Sequence, residues 1–212
     1  MIHAYDYDMM PRAQKQLGWM FDAGINFYKM QLEHFYHLFL NSDISKKIAY
    51  GDAGVIMGKS GKECAYDILA EHNPSIPRPD YHSMDRGQAF WLGWALSYYQ
   101  WDKGIIFSQI TEKLSIREFW DMYDKYHEMD ISHFVDEVDE MRERAQDMSR
   151  LKRIRQYAGL SQRELADLSG VPLRTIQQYE QRAKDINKAN VDYVVSLSKV
   201  LKCEVAMLLE EF

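Results

Sequence analysis

In the last third of the chain, start and stop signals for short helices follow one another closely. Gly159 is placed to end a first helix, and Ser161 with Glu164 three residues later forms a capping box that starts a second. Gly170 ends this second helix, and Pro172 suits the first turn of a third. Helices this short are stable only when they pack on one another. The spacing therefore predicts a compact helical domain with a tight glycine turn between its second and third helices.

Apolar residues in this part of the chain recur at helical spacing. Two more helices are expected at 191–201 and at about 204–209, which gives a five-helix unit of about 65 residues. The apolar side chains that we expect to face its core include Leu151, Ile154, Ala158, Leu165, Ala166, Leu168, Ile176, Tyr179, Val194, Leu197 and Leu201.

Five short residue groups stand at fixed distances in this segment: Leu160-Ser161-Gln162, Glu164-Leu165-Ala166, Gly170-Val171, Thr175-Ile176 and Tyr179-Glu180. In this order and spacing, about residues 148–210 resemble the lambda-repressor/Cro-like, or XRE, family of helix-turn-helix proteins. A glycine often follows the Tyr-Glu pair in that family, whereas Gln181-Arg182 stand here. The resemblance implies DNA binding through the third helix. It also implies an ion pair between Arg155 and Glu180 that joins the first helix to the third.

A helix that enters the major groove can read base edges directly. Arg174 is expected to recognise guanine, Gln178 adenine, and Leu173 a thymine methyl group. Gln162 and Thr175, with two cations that follow the third helix, are candidates for phosphate contacts. The predicted DNA-binding residues are Gln162, Pro172, Leu173, Arg174, Thr175, Gln177, Gln178, Arg182 and Lys184.

Charge divides the chain unequally. The formal net charge is -6, of which residues 1–145 contribute -8 and residues 146–212 contribute +2. A basic segment thus follows a long acidic one, which favours two modules with different partners. We predict an acidic, aromatic-rich domain at 1–145 for partner binding, sensing or dimerisation. The helix-turn-helix domain is predicted at 146–212.

The segment 1–145 reads as mostly helical, so the expected fold class of the whole chain is all-α. A long amphipathic helix near 12–40 should break near Gly24, and residues 86–101 should form a central buried helix with an aromatic stripe. Other helices are expected at 60–72, 105–114, 116–128 and 131–148, and a proline-rich loop at 73–80. This segment also resembles helical N-terminal regions of bacterial XRE regulators and antitoxins.

Three groups in the N-terminal segment approach known site patterns without completing them. Residues 53–60 resemble a phosphate-binding loop, but Ala53 replaces the first glycine and a turn with a helix cap is favoured. His34 and His37 lack an arranged third metal ligand, and residues 126–130 group a histidine with two acids but show no cleft. We therefore predict no catalytic residue, no cofactor, no metal site and no enzymatic activity.

The expected function is a transcriptional regulator, a repressor that binds double-stranded DNA as a homodimer. The alternative is the antitoxin of a type II toxin–antitoxin pair, in which the N-terminal domain binds a toxin protein. A third interpretation is a sensor of a small-molecule effector. No apolar run reaches the ~18 residues of a membrane span, no secretory signal is visible, and Cys64 and Cys203 lie far apart. A cytoplasmic location without membrane contact is therefore expected.

Overall fold

A computed structural model of this chain describes residues 3–80, 86–146 and 148–210. Within these ranges the regular structure is helical throughout and no β-strand occurs, so the prediction of an all-α fold is confirmed. The chain divides into two compact units, Met1–Asp139 and Glu140–Phe212. A functional division at 145/146 remains a prediction. None of the helices in these ranges combines the length and apolar character required to cross a membrane.

The N-terminal unit is built from helices of very different lengths. They are α1 Met10–Asp22, α2 Leu32–Asn41, α3 Asp43–Ala49, α4 Ala53–Ile56, α5 Gly61–Ala70, α6 Gln88–Lys103, α7 Phe107–Ile110, α8 Ile116–Asp121, α9 Tyr123–Tyr126 and α10 Ile131–Gln146, of which α10 begins in this unit. A 3-10 turn at Tyr7–Met9 precedes α1, and a π-helical turn at Ala23–Phe27 follows it.

Helices α1 and α6 form the centre of this unit. A Cβ atom on Gly93 of α6 would lie 2.4 Å from the carbonyl oxygen of Leu17 in α1, so only glycine allows this approach. The expected aromatic stripe of α6 belongs partly to the core, since Trp91 and Trp101 are buried. Its other two members, Trp94 and Tyr98, are half-buried.

Several expected element boundaries in the N-terminal unit are confirmed and others are wrong. The long first helix breaks at the π-helical turn that contains Gly24, as expected. Only the four residues of α7 form within the helix expected at 105–114. Ser115 caps α8 in an extended conformation, so the chain must leave the helical conformation before Ser115. The helix expected at 116–128 is interrupted at Met122. The helix expected at 131–148 is α10, which ends at Gln146, and residue 147 lies outside the described ranges.

The C-terminal unit contains the five expected short helices. They are α11 Arg150–Tyr157, α12 Gln162–Ser169, α13 Leu173–Glu180, α14 Val191–Leu201 and α15 Val205–Leu208, with a 3-10 turn at Ile186–Lys188. The predicted capping box is present, because Ser161 accepts the amide hydrogen of Glu164 and Glu164 accepts that of Ser161. Both expected stop glycines, Gly159 and Gly170, have positive φ angles, of 71° and 70°.

A single apolar core holds these five helices together. Leu165, Ile176 and Leu197 have no exposed surface and lie at its centre. Leu168 was expected to face the same core, but it is 63% exposed. The eight residues of α12 make barely two turns, and Leu165 and Ala166 already occupy the face that meets the core. Ala158, also expected to face inward, is exposed beside the stop glycine.

Candidate nucleic-acid interface

The turn between α12 and α13 determines how the third helix of the unit is presented. Gly170 adopts the left-handed conformation at the end of α12, which reverses the chain. Pro172 then stands at the N-cap of α13, one position before the first helical residue. Its fixed φ of -54° suits the start of a helix, and its side chain is exposed.

Helix α13 has one face on the core and the other toward solvent. Ile176 and Tyr179 are buried, which fixes the helix on the unit. Arg174 is exposed, and the predicted readers Gln177 and Gln178 are half-buried. The guanidinium of Arg174 is therefore accessible from solvent, and its N–H donors can contact a ligand there.

Glu180, at the end of α13, is the centre of a buried polar network. Arg155 donates to it twice, from Nε to Oε1 at 2.6 Å and from Nη2 to Oε2 at 2.9 Å. Arg155 is 7% exposed and Glu180 6% exposed, and hydrogen bonding to Glu180 raises the pKa of the guanidinium. The ion pair that the family resemblance implied is thus present. It ties the first helix of the unit to the third.

Gln162 joins the same network at the start of α12. Its Nε2 donates to Oε2 of Glu180 at 2.7 Å, so one amide hydrogen of this predicted phosphate contact is directed into the unit. The side chain is half-buried. Contact with phosphate through the second amide hydrogen or through the backbone of α12 remains a prediction.

Gln181-Arg182 stand where a glycine often follows the Tyr-Glu pair in the related family, and the backbone of Arg182 is one that favours glycine. Its φ is +54°, in the left-handed region that residues other than glycine rarely adopt. The side chain turns back onto its own unit, where Nη2 donates to the carbonyl oxygen of Met148 at 3.0 Å and lies 3.6 Å from Oε2 of Glu210. A phosphate would have to compete with Glu210 for this cation.

The remaining predicted contacts lie around α13. Lys184 is exposed, and its Nζ lies 5.6 Å from the ring centroid of Tyr179. Leu173 and Thr175 are half-buried in the first turn of α13, with Leu173 packed partly against the core. The structure thus places Leu173, Arg174, Thr175, Gln177 and Gln178 on one helix, with Pro172 immediately before it.

Sequence patterns gave no sign of the role of Glu210. Its Oε1 accepts the backbone N–H of Arg150 at 2.7 Å, which satisfies a free donor at the start of α11. Asn187 holds the backbone of Glu210 with two further hydrogen bonds, one in each direction. These contacts join residues more than twenty positions apart, so local helix signals could not reveal them.

The near-motifs of the N-terminal unit have structural roles. Helix α3, and no strand, precedes residues 53–60, the first four of which form α4, and Ser60 forms a capping box with Glu63. His34 and His37 are exposed, with Nε2 of His37 within 3.2 Å of Asn41 Nδ2. His127 stacks on Tyr123, its neighbour one turn away. Among the described residues, no group of three or more histidine, cysteine or acidic side chains is arranged to hold a metal ion.

Comparison with known proteins identifies the C-terminal part of the chain. A family model described as Helix-turn-helix matches residues 151–208, roughly a quarter of the chain. No curated protein and no solved structure gives a significant match. The matched range includes all five helices of the C-terminal unit except the first residue of α11. Residues 151–208 are therefore a helix-turn-helix domain of the XRE type, which supports a role of this chain as a DNA-binding regulator of transcription.

Proposed function

We propose that this chain is a sequence-specific transcriptional repressor that reads a pseudo-palindromic operator through α13. The observation that carries the proposal is the orientation of α13. Its inner face is fixed by Ile176 and Tyr179, while Arg174 on its early turn is exposed. A repressor requires no chemistry, because a protein that covers a promoter excludes polymerase.

Recognition would divide between bases and phosphates. Arg174 forms a fork that matches the O6 and N7 acceptors of guanine, and Gln178 can pair bidentately with adenine. Each such pair contributes about 1–3 kcal/mol of discrimination against a wrong base. Lys184 and the N-terminus of α12 are the proposed phosphate contacts, which set position and affinity without reading sequence.

One copy of this domain offers few base contacts, so two copies are proposed to bind together. In helix-turn-helix dimers, the two reading helices enter successive major grooves about 34 Å apart along the DNA. The operator would then contain two half-sites related by a two-fold axis. The protein would be a cytoplasmic homodimer.

The proposal is tested by selecting binding sites from random duplex DNA with the full-length protein. We expect wild-type protein to enrich one pseudo-palindromic sequence. The double variant Arg174→Ala/Gln178→Ala should lose that preference, while its salt-sensitive, non-specific binding remains. Arg12→Ala removes one exposed positive charge from α1 and serves as the control. If the double variant selects the wild-type sequence, α13 is not the reader.

The second candidate function is an antitoxin that neutralises a toxin protein through its N-terminal unit. The acidic charge of this unit and its exposed aromatic side chains favour it. Tyr50 is 74% exposed and Tyr7 is 66% exposed, and exposed aromatic side chains are common at protein interfaces. A small toxin reading frame beside the gene, whose product is harmless only when this chain is co-expressed, would support it. If no such reading frame lies beside the gene, the antitoxin function is contradicted and the repressor function is retained.

A further inference from the structure

The carboxylate of Glu210, a residue that follows α15, lies against donors that suit an anion. Its Oε1 accepts the backbone N–H of Arg150, the first residue of α11, at 2.7 Å. Its Oε2 lies 3.6 Å from Nη2 of Arg182, which follows α13. A backbone N–H at the start of a helix and a guanidinium both bind phosphate as well as carboxylate. Glu210 therefore occupies donors that could also contact a phosphate group.

Contacts of the neighbouring backbone hold this carboxylate in place. Nδ2 of Asn187 donates to the carbonyl oxygen of Glu210 at 2.6 Å, and Oδ1 of Asn187 accepts its N–H at 2.9 Å. The preceding Leu209 packs against the core of the unit. The side chain of Glu210 is only 15% exposed. The carboxylate is thus a fixed part of the surface beside the loop that follows α13.

Arg182 is the cation that this carboxylate engages. Its side chain is 50% exposed, so a ligand in solvent can reach it. Its Nη2 nevertheless points back to its own unit, where it donates to the carbonyl oxygen of Met148 at 3.0 Å. A phosphate that approaches Arg182 meets the negative charge of Glu210 at the same guanidinium, and like charges repel.

Lys184, the other predicted phosphate contact after α13, has a different environment. Its Nζ lies 5.6 Å from the ring centroid of Tyr179. The ring carries no negative charge that competes with phosphate. Two cations of the same loop therefore differ in whether a carboxylate of the protein opposes their contact with DNA.

We propose that Glu210 is an autoinhibitory residue of the DNA interface, whose carboxylate holds Arg182 and opposes its contact with the DNA backbone. This inference rests on the proposed function, because it requires that the surface around α13 meets duplex DNA. Binding exchanges the contact of Arg182 with Glu210 for a contact with phosphate. Since phosphate contacts carry no sequence information, operator and unrelated duplexes are affected alike.

Fluorescence anisotropy of labelled duplexes, titrated with full-length protein at several salt concentrations, tests this proposal. Glu210→Gln keeps an oxygen that can accept the N–H of Arg150 and removes the charge. We expect this variant to bind every duplex several-fold more tightly than wild-type protein. The slope of log affinity against log salt concentration should become steeper by about one, the change for one additional phosphate contact. Glu204→Gln removes an equal charge from an exposed position of the same unit and is the matched control, with a smaller gain expected.

Double variants show whether the gain acts through Arg182. In an Arg182→Ala background, Glu210→Gln should gain no more affinity than Glu204→Gln does, because the cation that it releases is gone. In a Lys184→Ala background the full gain should remain. Circular dichroism of each variant confirms that it is folded.

The outcomes separate this proposal from the proposed function. If wild-type protein binds DNA and Glu210→Gln gains no more than Glu204→Gln, the autoinhibitory role alone is overturned. The same holds if the excess gain persists in the Arg182→Ala background. If neither wild-type protein nor Glu210→Gln binds any duplex, both the autoinhibitory role and the proposed function are overturned.

Discussion

The buried pair of Arg155 and Glu180 is the residue-scale feature on which the presentation of α13 depends. Removing one partner of a buried ion pair leaves the other charged and desolvated, which costs about 3–5 kcal/mol. We therefore expect Glu180→Ala to lower the free energy of unfolding by this amount in urea denaturation. Glu112→Ala, at an exposed position, should change it little. A loss below about 1 kcal/mol would show that the pair does not hold the unit together.

Lys202 gives a second prediction at this scale. It ends α14 with a φ of +51°. This left-handed backbone conformation costs residues other than glycine about 1 kcal/mol of conformational free energy. Lys202→Gly should raise the free energy of unfolding by about 0.5–1 kcal/mol and increase the melting temperature. The matched control is Lys199→Gly, inside the same helix, which should be destabilised instead. A melting temperature of Lys202→Gly below that of the wild-type protein would contradict the claim that the backbone of Lys202 is strained.

Single residues were predictable where a local rule governs them. The two stop glycines and the capping serine of α12 are examples, because a helix end requires a particular backbone or side-chain acceptor. The bond from Gln162 to Glu180 and the contacts of Glu210 join distant parts of the chain. Residue types and spacing do not specify which distant partner a polar side chain meets.

At the scale of elements, the capping box of α12 leads to a pH-dependent prediction. Hydrogen bonds from Ser161 lower the pKa of Glu164 in the folded protein. Its contribution to stability is therefore complete above the pKa of the unfolded chain and is lost as pH falls through the lowered folded value.

Replacing Glu164 by glutamine tests this sign. Wild-type protein should melt at a higher temperature than Glu164→Gln at pH 7, and the difference should shrink as pH falls below about 4. Thermal unfolding followed at several pH values measures it, with Glu112→Gln as the control for an exposed carboxylate. A difference that grows in acid would contradict the assignment.

Element boundaries were predicted best where caps and periodicity agree. In α12 both signals coincide and its bounds were predicted, and all five helices of the C-terminal unit were predicted to exist. In the N-terminal unit, the stretch at 105–114 has helical periodicity but forms only the four residues of α7. Burial of Leu114 and extension of Ser115 take precedence over helix propensity there, and both are set by tertiary packing.

At the scale of the whole molecule, unequal charge and two compact units predict a division of labour. Residues 1–145 carry -8 and should be repelled by phosphate, while the helix-turn-helix part is basic. A fragment of residues 1–145 should fold, because α1 and α6 give it a core of its own, and should bind no DNA. Circular dichroism and gel shifts check both points. Retardation of duplex DNA by this fragment would contradict the division.

Methylation interference on the selected operator tests most directly whether α13 reads the major groove. A methyl group on guanine N7 blocks the atom that Arg174 is proposed to contact. We predict interference at guanines in two half-sites about one helical turn apart, and its loss at those guanines when Arg174→Ala replaces wild-type protein. Binding that tolerates every methylated guanine, or interference unchanged in Arg174→Ala, would contradict recognition by this helix.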